Sequence, residues 1–312
     1  MKTYAIGIDL GGSSAKIGFF TTAGELLEKK EVRTIKAEEG KHILPSIAES
    51  IRKTLEMSGI SMSEVEGVGI GVPGAVTGQS VVNRCVNLGW GVKNVAEELS
   101  ALLDGIPVKV GNDANVAALG EMWKGSAEGF RNVVMVTLGT GVGGGIILDG
   151  KIMEGLGGAG GEIGHICVNR REWDTCGCGK HGHLEQYCSA PGIAKAARRY
   201  LRSYKDKTSL RKAPYVSAKI VFDAARNGDA AALEIANRTC EMLGQALAAI
   251  SCVLAPDIFV IGGGVSRAGA VLIDPVRSCY KKYAFHASEN TPIAAAKLGN
   301  DAGIYGAVKM LL

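Results

Sequence analysis

The chain has 312 residues, a net charge of +4 and 46% hydrophobic residues, a balance that supports large cores and excludes global disorder. Domains of ~100–200 residues make two domains the default for this length. Aromatic residues are only 5%, which with the weak net charge argues against a nucleic-acid stacking platform. Glycine is the outlier: its 44 residues are about twice the usual ~7%. They cluster in short loops rather than at every third position, so a collagen is excluded.

The longest apolar stretch, 246–255, contains Ser251 and stops at Pro256, well short of the ~18–20 residues a bilayer requires. Asp9 breaks the early apolar run and no cleavage pattern follows it. The expectation is a cytoplasmic protein without a membrane anchor. Its eight cysteines then read as reduced thiols or metal ligands rather than disulfides.

The first part of the chain reads as strands over 2–9, 16–21 and 28–34, joined by glycine turns. A helix follows over 42–57, where Ile43, Ile47, Ile51 and Leu55 recur every four residues and Gly59 marks the stop. Then come a strand over 65–71, a helix over 95–103, a strand over 107–111 and a helix over 114–123. Either Asn112 or Asp113 caps that last helix.

The pattern restarts at residue 132. Strands over 132–138 and 145–148 flank a glycine loop. Helices dominate 190–254, with 205–214 as the most loop-like break. A buried strand over 258–261 runs into Gly262-Gly263-Gly264, and a strand over 291–295 and a helix over 300–310 close the chain. Strand, polar Gly-rich turn, strand occurs at Asp9–Gly18 and again at Thr137–Ile146. The repetition implies an internal duplication, and a cleft between two such units is the natural ligand site.

Each glycine turn offers unshielded backbone N–H groups, the arrangement that cradles phosphate oxygens. Gly139–Gly144 matches G-x-G-x-x-G, but a strand rather than a helix follows, the wrong setting for a dinucleotide fold. No Walker loop occurs. Asp9 precedes Gly11-Gly12. A carboxylate beside phosphates needs a cation between them, and Mg²⁺ would serve. Asp113 follows a buried strand and opens a helix. A carboxylate there can take the proton of a substrate hydroxyl, although on this segment alone capping is the more ordinary role. Glu162-Ile-Gly-His165 and the run from Cys176 to Glu185 bring two Cys and up to three His close together, which suggests zinc.

Seven motifs in order, Asp9-Leu-Gly-Gly-Ser, Gly71-Val-Pro-Gly74, Gly111-Asn-Asp-Ala-Asn115, Gly139–Gly144, Glu162-x-x-His165, Cys176-Gly-Cys-Gly and Gly262-Gly-Gly-Val265, resemble those of the ROK family of repressors and sugar kinases, most closely its bacterial glucokinases. The resemblance implies an α/β, actin-like ATPase (ribonuclease H-like) fold: two duplicated domains around a cleft. Residues 1–113 plus 297–312 would form the smaller domain, and 114–296 the larger one with the zinc loop.

It also implies ATP against Asp9, Gly11, Gly12, Ser13, Lys16, Gly139, Thr140, Gly141, Gly263 and Gly264, with Mg²⁺. A hexose, glucose by resemblance, would be held by Gly74, Asn112, Asp113, Glu162, His165 and Glu185, with Asp113 as general base. Structural zinc would be bound by His165, Cys176, Cys178 and His183. Family members usually carry a third cysteine where this chain has His183, and His181 lies two residues away, so either imidazole can be the fourth ligand. The resemblance further implies a homodimer that binds neither nucleic acid nor membrane. The alternatives are a kinase for another hexose (N-acetylmannosamine, N-acetylglucosamine, allose or fructose) and a sugar-responsive regulator. The regulator is disfavoured because the first strand begins by Tyr4, leaving no room for a helix-turn-helix.

Overall fold

The computed structural model describes residues 2–312. The chain opens with β1 (Tyr4–Leu10), β2 (Ser14–Thr21) and β3 (Leu26–Arg33). Next come α1 (Ile43–Ser58), β4 (Val65–Val72), β5 (Ala75–Thr77), β6 (Val81–Arg84), β7 (Lys93–Asn94), α2 (Val95–Leu102), β8 (Val108–Asn112) and α3 (Asp113–Lys124). The restart supplies β9 (Val133–Leu138), β10 (Val142–Leu148) and β11 (Lys151–Ile152). Then follow α4 (Glu185–Cys188), α5 (Ala190–Ser203), α6 (Ala218–Arg226), α7 (Ala230–Leu254), β12 (Ile258–Gly262), α8 (Ala270–Tyr283), β13 (Ile293–Ala295) and α9 (Ala302–Lys309).

Two five-stranded sheets share one plan. The first has the order β3-β2-β1-β4-β8 and the second β11-β10-β9-β12-β13. In the first, β1 pairs antiparallel with β2 and parallel with β4, which pairs parallel with β8. In the second, β12 lies parallel to both β9 and β13. This bears out the duplication. The inner strand β4 is buried over nearly its whole length, as expected of a strand covered on both faces. The edge strand β3 alternates half-buried and exposed residues, and its charges protect the edge. Helix α1 buries Ile43, Ile47, Ile51 and Leu55 and ends on Gly59 at φ 66°, a left-handed stop that glycine tolerates.

By internal contacts the chain forms two compact units. One holds residues up to Arg131, Gly145–Gly161 and Lys297–Leu312; the other holds Asn132–Gly144 and Glu162–Ala296. Helix α3 falls in the first unit, on the other side of the expected boundary at 113/114. The reason is its packing on α9. A Cβ on Gly120 would lie 2.2 Å from the Ala302 carbonyl oxygen, and one on Gly306 1.7 Å from that of Val116. Two glycines thus let these backbones approach more closely than any side chain permits.

Several elements differ from the sequence expectation. β10 begins at Val142, so Gly143 and Gly144 are strand rather than loop. A Cβ on Gly145 would strike the Ala114 carbonyl oxygen at 2.4 Å, so this glycine serves packing against α3. The small sheet β5-β6-β7 has strands of two to four residues, too short for a periodic signal. Helix α8 carries Pro275 within it, which masks helical periodicity. Among the described residues no helix is long and apolar enough to cross a membrane, and all eight cysteines are free thiols.

Candidate active site

In the first unit the β1–β2 hairpin makes the turn that holds Gly11, Gly12 and Ser13. Gly11 N–H donates to the Ser14 carbonyl at 2.9 Å. The buried Thr34 pins the turn from outside: its hydroxyl donates to the Gly11 carbonyl at 2.8 Å, and its N–H to the Ser13 carbonyl at 2.9 Å. Asp9 sits at the strand end. Burial pushes its carboxyl up from the ordinary range; Lys16, 3.9 Å away, opposes this and Asp301 adds to it. Lys16 also donates to the Asn300 carbonyl at 3.0 Å.

The β8–α3 junction resolves the capping question. Asn112 is the N-cap, and its side-chain oxygen accepts from the N–H groups of Ala114 at 3.0 Å and Asn115 at 3.2 Å. Its amide donates to the Gly74 carbonyl at 3.1 Å and to Asp113 Oδ1 at 3.1 Å. Asp113 Oδ1 also accepts Ala114 N–H at 2.8 Å. Gly74, Asn112 and Asp113 are therefore one hydrogen-bonded group. Gly74 has φ 111°, and a Cβ there would lie 2.7 Å from the Arg84 carbonyl oxygen, so only glycine fits.

In the second unit two glycine turns meet. A cavity of about 630 Å³ is lined by Gly139 and Thr140 from the β9–β10 turn, Gly264 and Val265 after β12, and Ser217 and Phe222 at α6. Gly263 sits where the chain leaves β12 with φ 81°, and a Cβ there would lie 2.5 Å from the Leu138 carbonyl oxygen. Beside the first turn stands Glu185. Its Oε2 accepts Val142 N–H at 3.0 Å and lies 2.4 Å from where a Cβ of Gly141 would be. Its Oε1 accepts from Cys176 Sγ at 3.8 Å. Glu185 thus joins the glycine turn to the cysteine loop.

The cysteine loop gathers four donors. The candidate ligand atoms of His165, Cys176, Cys178 and His183 all lie within 4.8 Å of one another. The Nδ1 atoms of His165 and His183 are 3.3 Å apart, and Cys178 Sγ is 3.3 Å from His183 Nδ1. Tetrahedral zinc with Zn–N of ~2.0 Å and Zn–S of ~2.3 Å sets ligand separations of ~3.3–3.8 Å, so the donor set fits that ion. Burial raises the Cys176 thiol, and burial followed by His165 lowers His183. A neutral imidazole is ready to ligate, and a cation is what would draw out the thiolate. His181 is outside the group; its Nδ1 faces the Asp174 carbonyl at 3.1 Å. Glu162 is mainly exposed, 3.9 Å from His165 Nε2, the ring atom that faces away from the cluster.

The sequence profile of the ROK family matches residues 5–312. The chain belongs to the ROK family. A relative named glucokinase from Halalkalibacterium halodurans is 41% identical, with 96% of this chain and 92% of that protein covered. Another from Thermotoga maritima is 37% identical, with 99% and 98% covered. A crystal structure of a ROK family glucokinase from Streptomyces griseus, in complex with glucose and AMPPNP, superposes with a TM-score of 0.79 at 31% identity and covers 98% of both chains. The actin-like ATPase fold of ROK sugar kinases is thereby established for this chain.

Several residues beside these turns and this helix gave little signal in the sequence. Thr34, Ser217 and Phe222 gave no motif. Glu121 is wholly buried on α3, and its one signal was a carboxylate continuing an apolar helical stripe. Lys36 lines the hollow beside Gly12 and Ser13 and gave no signal in sequence.

Proposed function

We propose that this chain is an ATP-dependent glucokinase, which transfers the γ-phosphoryl group to the 6-hydroxyl of glucose. The observation that carries the reading is the division of labour at the β8–α3 junction: Asn112 caps the helix, so Asp113 is not needed for that task. The likeness to the glucokinases, one of them bound to glucose and AMPPNP, supports the choice of substrates.

In this reading the nucleotide base and ribose use the cavity at Gly139, Thr140 and Gly264, with Gly141 and Gly263 shaping its walls. The phosphates meet the Gly11–Ser13 turn and Lys16. Asp9 would hold Mg²⁺, which would supply charge neutralisation at the phosphates. Gly74, Asn112, Glu162, His165 and Glu185 bind sugar hydroxyls. Asp113 takes the proton of the 6-hydroxyl as that oxygen attacks in line. Catalysis is then mainly positioning and charge neutralisation.

Zinc on His165, Cys176, Cys178 and His183 is structural in this reading. His165 binds through Nδ1 and leaves Nε2 for the sugar, so the ion fixes the hexose side of the site. The enzyme works as a homodimer in the cytoplasm.

The test is ADP release, coupled to an indicator, across a hexose panel. Glucose should exceed N-acetylmannosamine and fructose by ~10²-fold or more in kcat/KM, because a site built to hydrogen-bond hydroxyls leaves its own groups unpaired with the wrong sugar. Equal or better kcat/KM for N-acetylmannosamine would sink the glucose assignment.

A further inference from the structure

We propose that Lys36 is a further catalytic residue, its ammonium group contacting the phosphoryl group during transfer. The inference rests on the kinase reading above and deepens it.

Position comes first. A Cβ built on Gly12 would lie 3.3 Å from Lys36 Nζ. The ammonium therefore stands directly beside the turn that the kinase reading gives to phosphate. Gly12, Ser13, Arg33, Thr34, Ile35 and Lys36 surround a hollow of about 610 Å³, ample for a phosphate group. The hydrogen bonds of Thr34 to Gly11 and Ser13 hold the start of the Lys36 loop against the turn.

Charge comes second. Lys36 has no ion pair among the described residues, although carboxylates lie within three positions of it. Glu38 is paired instead with Lys41 and His42. Lys36 and Asp113 both belong to the first unit, the cation beside the phosphate turn and the carboxylate at the start of α3.

The chemistry needs such a cation. The bond from the γ-phosphorus to the bridging oxygen of ATP breaks, the bond to the sugar O6 forms, and the O6 proton passes to Asp113. ADP carries away the electron pair of the broken bond. Lys36 stays protonated throughout and offsets negative charge on the three equatorial oxygens. A compact ammonium on a flexible stem suits a group that shifts during the step.

The experiment compares wild type, Lys36→Met, Lys36→Arg and Lys53→Met with Mg²⁺ present. Lys36→Met should lower kcat by ~10²–10³-fold, the scale of one lost electrostatic donor, with KM for glucose within about three-fold. Lys36→Arg should keep part of the rate and Lys53→Met, at an exposed position on α1 outside the hollow, nearly all of it. A Lys36→Met kcat within three-fold of wild type overturns the assignment. If wild type transfers nothing from ATP to glucose, the substrate reading fails. Lys36 is then judged by calorimetry: Lys36→Met should weaken AMPPNP about ten-fold and ADP hardly at all, and unchanged AMPPNP affinity overturns it.

Discussion

The carboxylate of Glu121, wholly buried on α3, accepts the backbone N–H of Leu298 at 2.8 Å. It also accepts Lys297 N–H at 3.0 Å, Ser126 N–H at 2.8 Å and the Ser126 hydroxyl at 3.1 Å. Four donors converge on one anion, so its burial is compensated without a cation. The bonds fasten the returning segment before α9 to the helix that begins at Asp113. That segment then meets Lys16 through the Asn300 carbonyl.

Glu121→Gln should therefore destabilise the fold. An amide turns its NH₂ toward N–H donors and leaves buried groups unpaired, at about 2–4 kcal/mol in total. Ser126→Ala removes only the hydroxyl bond and should cost about 1 kcal/mol. Urea unfolding of the three proteins measures both, and equal midpoints for Glu121→Gln and wild type would remove the clamp from consideration.

Asp113→Asn tests the base directly. The amide oxygen can still accept from Ala114 N–H, and Asn112 still caps α3, so the fold should stand. Loss of a general base lowers kcat by at least ~10²-fold, while glucose binding should change little. Steady-state kinetics with a kcat within a few-fold of wild type would reject Asp113 as the base.

The zinc ligands can be sorted by metal content. One zinc per chain is expected as purified. His183→Cys should retain it, because thiolate is an equally good donor. His183→Ala should lose most of it, since Nδ1 lies 3.3 Å from both His165 Nδ1 and Cys178 Sγ. His181→Ala should retain it, as that ring faces Asp174. Zinc lost from His181→Ala but kept by His183→Ala would reverse the ligand assignment.

These sites were unequally visible in sequence. The glycine turns, Asn112-Asp113 and the Cys/His run stand out because each gathers unusual residues within a few positions. Asn112 against Asp113 as the cap could not be settled, since both side chains suit the task and only the backbone geometry chooses. His183 against His181 had the same character: the Thr175–His181 bridge turns one ring away, and no spacing rule foretells it. Gly143 and Gly144 read as loop because glycines inside a strand leave the same mark in sequence as a turn. Glu121 and Lys36 depend on partners far along the chain, which local pattern does not reveal.

Asp9 carries the last prediction. Burial raises its folded-state pKa, with Lys16 opposing and Asp301 adding. A raised carboxyl favours the protonated form in the fold. At neutral pH the ionised Asp9 therefore costs stability. That cost fades as pH falls from the raised folded value to the ordinary 3.8, and below that range it is absent. Asp9→Asn removes the charge without changing the shape. It should melt higher than wild type at about pH 7–8, and the gain should shrink steadily toward about pH 4. Activity should move the other way: without a carboxylate to hold Mg²⁺ near the phosphates, kcat should fall even though the protein is more stable, the trade expected of a strained functional group. Thermal midpoints across pH, read beside kcat, test the pair. A variant that melts lower than wild type at neutral pH would show that the Lys16 contact outweighs the burial cost and would reverse the sign of the argument.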